Sequence, residues 1–192
     1  MQMYKDDMKK YPKCAALIRA LESTLKGNQK VLNAYLQACM EDDQNKSAAA
    51  AGQVARKALK WATAPQIELK EGLIEAPVAG EFSDACGFHN TFGKALGTGK
   101  HLIVITSIWF DAFEFCSAET DRRDNARRLT ATLLHETVHW VREEADASNL
   151  LLVGGFKGHY QEAGRTFEEW AFGSPSVCTD ADLHDAILSM RI

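Results

Sequence analysis

Apolar residues recur at helical spacing through roughly the first 60 positions of the chain. Ala15, Ala16, Ile18, Leu21 and Leu25 lie on one side of a helix predicted over 4–25, with a break near Pro12 and an end at Lys26-Gly27-Asn28. Val31, Leu32, Tyr35, Leu36 and Cys39 mark the apolar side of a second helix over 29–41, which gives way to the polar run Glu41 to Ser47. A third begins in the alanine-rich stretch at Ala48, where propensity alone favours helix, and continues through Val54, Ala58, Leu59 and Trp61.

The pattern changes from Ala64 onward. Pro65, Pro77 and glycines at 72, 80, 87, 93, 97 and 99 break the chain into short apolar pieces, which predicts turns and short strands. Gly97-Thr98-Gly99-Lys100 lacks the spacing of a phosphate loop and is followed by His101 instead of Ser or Thr, so a tight turn accounts for it. His101 to Trp109 is the strongest strand signal, with Leu102, Ile103, Val104, Ile105 and Ile108 supplying β-branched and apolar weight. Phe110, Phe113 and Phe115 after it are expected to pack in the core.

Two more helices are predicted. The first runs over 122–145, with Ser117, Thr120 and Asp121 as candidate caps. At roughly 100° per residue, Leu134, Val138 and Val141 fall on one side of it and Leu129, Leu133 and Trp140 on the other. Only a strip near Thr130, Thr137 and Glu144 is left for solvent. The second runs over 160–172 and stops at Gly173, with Pro175 beyond. The class is therefore α+β and mainly helical, with residues 1–63 as a helical region packed on residues 64–192 in one compact unit.

Composition narrows the function. With 192 residues and 46% hydrophobic content, a core can form without covalent staples. A formal charge of −4 and scattered basic residues argue against nucleic-acid binding. No window reaches the length of a membrane span, and Met1 to Lys10 is too charged for a signal peptide. The chain is expected to be made in the cytoplasm without a Sec signal. Cys14, Cys39, Cys86, Cys116 and Cys178 are widely spaced and form no C-x-x-C pair, so buried free thiols are expected, neither a disulfide framework nor a cysteine metal site.

The chemistry concentrates in Leu133-Leu134-His135-Glu136-Thr137-Val138-His139-Trp140, which contains H-E-x-x-H. On a helix, His135 and His139 stand one turn apart on one face and can share an ion, zinc by this motif, while Glu136 can act as general base. The burial predicted for this helix supports that reading, because buried imidazoles need a partner. Residue 142 is Arg and residue 145 is Ala, so the extended H-E-x-x-H-x-x-G-x-x-H pattern is absent and a third ligand must come from further on. Ala163, Phe167, Trp170 and Ala171 define the buried face of the last helix, and Glu168 sits on its margin beside Gly164, so Glu168 is the chosen ligand. Glu169, His159, Glu162 and Asp146 stay open as alternatives. Tyr160, His159 and Arg165 are candidate oxyanion stabilisers, whereas His89, His101 and His184 read as isolated.

Ile103 to Phe110, Leu133 to Trp140 and Gly164 to Gly173 together resemble the zincins, and among them the metallopeptidase domains of bacterial polymorphic toxins and secretion-system effectors. A more distant similarity is to the deuterolysin-like aspzincins, from which the chain departs in having Glu168 and Glu169 where they use Asp. The resemblance implies a zincin-like fold and a zinc metallopeptidase. It further implies a peptide or peptidoglycan-peptide substrate, a cognate immunity protein, and export by a dedicated secretion system to a target cell or its periplasm. In such enzymes an edge strand before the metal helix often pairs with extended substrate, a role expected here of the strand at 101–109. A zinc-binding interaction module without turnover is the rival.

Overall fold

The computed structural model describes residues 1–41, 48–71, 83–84, 87–90, 102–148, 150–152 and 160–173. Pro12 does what a proline at a helix start does, and the first predicted helix is split at Tyr11 into α1 (Lys5–Lys10) and α2 (Pro12–Gly27). Then come α3 (Gln29–Met40), capped by the Asn28 side chain accepting from Val31 N, and α4 (Ala48–Ala58). The last of these stops before Leu59, earlier than its apolar spacing predicts.

β1 (Gln2–Met3), β2 (Gln66–Lys70) and β5 (Leu102–Thr106) run parallel, while β3 (Ser83–Asp84) and β4 (Gly87–Asn90) form an antiparallel hairpin against β5. The order is β1-β2-β5-β4-β3. β5 pairs with β2 from Leu102 opposite Gln66 to Thr106 opposite Lys70, and with β4 from Leu102 opposite Asn90 to Ile105 opposite Gly87. Every residue of β5 is buried, as its unbroken apolar run requires of a central strand. This corrects the expectation of a substrate-pairing edge strand at 101–109, because both sides of β5 are already occupied.

The strand also ends sooner than predicted. Residues from Ser107 onward form α5 (Ser107–Phe115), whose first turn is capped by Thr106 accepting from Ile108 N. Trp109, Phe110, Ala112 and Phe113 repeat at helical, not strand, spacing and are buried, but Phe115 is exposed. Glu114, buried on α5, accepts from the backbone amides of Lys13 and Cys14 at 2.8 and 3.1 Å and so caps α2 from across the core.

α6 (Glu119–Glu144) is the longest element, 26 residues. Its N-cap is Ala118 without a side-chain cap, so Thr120 and Asp121 lie inside the first turn. Residues 131–142 are all buried, between α3, α4, α5, β4, β5 and α7. Thr137, expected on a solvent strip, is buried too, its hydroxyl donating to Leu133 O at 2.5 Å. At the far end the buried Arg142 guanidinium donates to Ala38 O at 2.8 Å and to Glu41 O and Ser148 O at 2.5 Å, tying the end of α3 to α6.

A hairpin, β6 (Leu150–Leu152) with β7 (Tyr160–Glu162), follows and delivers α7 (Ala163–Phe172), which ends at Gly173 with φ 82°. Residues 160–162 are thus strand, not the helix predicted from 160. One apolar cluster runs from Met1 and Tyr35 through Ile105 and Leu134 to Phe167, joining helices from before and after residue 63. Cys14, Cys39 and Cys116 are buried free thiols, and burial pushes those of Cys14 and Cys39 far up. Cys86, Cys178, His101, His159, His184 and the Gly97–Lys100 segment lie outside the described residues. Among the described residues no helix is long and apolar enough to cross a membrane.

Candidate metal centre

The i, i+4 spacing on α6 brings His135 and His139 together as expected, with their Nε2 atoms 3.3 Å apart. Both rings are buried, at 5% and 2% exposure, so their polar atoms cannot rely on bulk water. Glu136, the next residue along α6, is buried as well.

The carboxylate facing both Nε2 atoms is Glu162. Its Oε2 lies 3.5 Å from His135 Nε2, and its Oε1 contacts His139 Nε2 directly. His135, His139 and Glu162 each offer a ligand atom, all within 4.8 Å of one another. Two donors bound at about 2.0–2.1 Å in tetrahedral geometry stand roughly 3.3 Å apart. The separations of 3.3 Å between the histidines and 3.5 Å between His135 and Glu162 match that spacing, while the direct contact of Glu162 with His139 is closer than two ligands of one ion stand.

Glu168, the ligand expected from sequence, is closer to His135 than Glu162 is, but on the other side of the ring. Its Oε1 lies 2.9 Å from Nδ1, and it is 2% exposed. The structure brings Glu162 to the Nε2 side, where the two histidines face each other, and Glu168 to the Nδ1 side. Of the alternatives, Asp146 is exposed in left-handed backbone beyond the end of α6, and Glu169 is half-buried on α7. Arg165 is exposed, its amide donating to Glu162 at 2.9 Å, and β7 includes Tyr160.

Local structure explains why Glu162 points inward. It is the N-cap of α7, with extended backbone at φ −63° and ψ 138°, and it accepts from Gly164 N at 2.5 Å and Arg165 N at 2.9 Å. A cap lies outside the helical repeat, so the helix phase that sends Glu162 away from the core does not govern it. Burial opposes its ionisation, but the charge and hydrogen bond of His139, the charge of His135 and the Gly164 amide outweigh burial and hold the carboxyl well below the usual range. A carboxylate fixed in this way by helix amides is ready to face a cation.

Gly164 completes the site. A Cβ there would come within 2.5 Å of His135 Nε2 and Cδ2, closer than real side chains approach, so only glycine lets α7 seat against the ring.

No curated protein and no solved structure matches the chain. The family model described as metallopeptidase toxin 3 matches residues 7–173, which span the motif helix, the hairpin and α7. The chain therefore belongs to the metallopeptidase toxin 3 family, whose members are peptidase hydrolases that use a metal ion and act on peptide substrates.

Proposed function

We propose that the chain is a zinc peptidase with a zincin-like catalytic unit, in which His135, His139 and Glu162 hold the ion and Glu136 is the general base. The observation that carries this reading is the convergence of two Nε2 atoms and one carboxylate within 4.8 Å in a buried site. Two imidazoles and a carboxylate form a donor set suited to zinc, and three protein ligands leave a position for a reactant. When bound, zinc acidifies water and polarises the scissile carbonyl. Glu136 takes the proton of the attacking water on a carboxylate oxygen and passes it to the leaving amine nitrogen. Its burial keeps that proton from exchanging freely with bulk solvent. Residues 1–63 belong to the same unit, since α3 and α4 pack on the motif helix.

Membership of a toxin family supports export by a dedicated secretion system and a cognate immunity protein that protects the producing cell. Proteins and cell-wall peptides are the two substrate classes. Directing the chain to the periplasm and to the cytoplasm in turn, and comparing lysis, separates them. For the mechanism, Glu136→Gln is expected to bind one zinc per chain and to lose about 10²–10⁴-fold in kcat. A fully active Glu136→Gln variant excludes the assigned base, and a wild-type chain that binds zinc without turnover is an interaction module instead.

A further inference from the structure

We propose that Glu168 and Gly164 form a positioning cradle that fixes the tautomer and orientation of the His135 ring, an inference that rests on the ligand set proposed above. A neutral imidazole has one N–H donor and one acceptor nitrogen. The Glu168 carboxylate can only accept, and its Oε1 lies 2.9 Å from His135 Nδ1, so the ring proton belongs on Nδ1. That leaves the lone pair on Nε2, the atom 3.3 Å from His139 Nε2 and 3.5 Å from Glu162 Oε2. A carboxylate behind a ligating histidine sets which nitrogen faces the ion and raises its basicity.

Gly164 supplies the second half of the cradle. Positions 164 and 168 are one helical turn apart on the same face of α7. Glu168 holds the Nδ1 edge of the ring, and the bare backbone at Gly164 lies against its face, where a Cβ would come within 2.5 Å of Nε2 and Cδ2 and 2.6 Å of Cγ. The segment from Glu162 to Glu168 thus serves the site three times, through a carboxylate on the Nε2 side, space at Gly164 and an acceptor at Nδ1. Glu168 and Gly164 are positioning residues: neither is assigned a contact with substrate.

The test uses the full chain and two readouts, the zinc Kd from chelator competition and the His135 tautomer from ¹⁵N NMR of the metal-free protein. At alkaline pH, where the imidazole is neutral, the wild-type ring is expected in the Nδ1–H form. Glu168→Leu removes the acceptor, and should lose that signature and weaken zinc binding about 10–100-fold. Glu168→Gln keeps the size and one acceptor oxygen, so it should keep the tautomer and stay within about tenfold of wild type. Gly164→Ala should weaken binding while leaving the tautomer as Nδ1–H, because it displaces the ring without touching Glu168. A purely structural role for Glu168 would change stability alone.

Wild-type Kd and tautomer in Glu168→Leu overturn the cradle and leave the ligand set standing. Loss of the ion in Glu168→Gln with its retention in Glu162→Gln makes Glu168 the direct ligand, which overturns both. If the wild-type chain binds no zinc, the reading of the metal centre fails, while the metal-free tautomer still decides whether Glu168 orients the ring.

Discussion

The two histidines and Glu162 reach the same point from opposite structural situations. His135 and His139 sit well inside a 26-residue helix, where every residue from 131 to 142 is buried and the direction of each side chain follows from the helical repeat. Glu162 sits where a three-residue strand meets a ten-residue helix, and its direction follows from hydrogen bonds to the Gly164 and Arg165 amides. A helix interior transmits periodicity, whereas a helix end transmits whatever satisfies its first amides. On the proposed ligand set the difference gives separable roles: the histidines would serve the site alone, and Glu162 would divide its carboxylate between the site and the cap of α7.

The largest expected effect tests the helix interior. His139→Ala removes one of the two Nε2 donors and should reduce bound zinc from one per chain to background, checked by elemental analysis after dialysis. The thermal stabilisation produced by added zinc should vanish with it, because an ion that binds only the folded chain stabilises it by an amount that grows with the logarithm of its affinity. A variant that keeps one zinc per chain would show that the ion does not need the α6 pair.

The same contrast accounts for what could be read from the sequence. The motif helix, the burial of its C-terminal half and the pairing of His135 with His139 were legible because apolar positions flank the motif from Leu129 to Val141, whereas its N-terminal half, expected to leave only a strip for solvent, faces water. The place of Glu168 and Gly164 beside the buried face was legible for a related reason, since both lie inside α7, where the repeat applies, although Glu168, read at the margin of that face, is buried. What Glu168 touches was not, because phase gives a face and not a partner. Glu162 was hidden because Glu is not among the favoured N-caps, so Tyr-Gln-Glu-Ala-Gly-Arg reads as continuous helix. Two small residues directly after an acidic one were the available signal. The helix at 107–115 was missed for the opposite reason, as its β-branched and aromatic residues carry strand propensity that tertiary packing overrides.

A second prediction separates the two roles of Glu162. Glu162→Ala should lose zinc and also destabilise the metal-free chain by about 1 kcal/mol through the lost cap. Glu162→Ser restores a capping oxygen but reaches less far, so it should recover most of that stability in denaturant titrations with chelator present, without recovering zinc. The pH dependence adds a check. The carboxyl of Glu162 is depressed below its ordinary value of 4.5, so its stabilising contribution is complete above that value and is lost as pH falls through the folded-state value. Metal-free wild type should therefore lose stability on acidification below about 4.5, and Glu162→Gln should flatten that part of the curve. Equal stability of the Ala and Ser variants would remove the cap from the account.

The smallest effect belongs to the first turns of α6. Glu119 bridges Arg122 and Arg123 at 3.2 Å each, but its side chain is 63% exposed and those of the arginines are 37% and 79% exposed. Solvent screens such pairs, and the order imposed on long side chains offsets part of the attraction. Glu119→Gln should cost about 0.5 kcal/mol, diminishing with added salt, and should leave zinc affinity and turnover at wild-type levels. The same helix changes character between Glu119 and His135 because its C-terminal half is enclosed and its N-terminal half faces water. A change in zinc Kd on neutralising Glu119 would mean that charge at the solvent end is felt across four turns of helix. The contrast between an interior that sets the metal site and an end that does not would then fail for α6 itself.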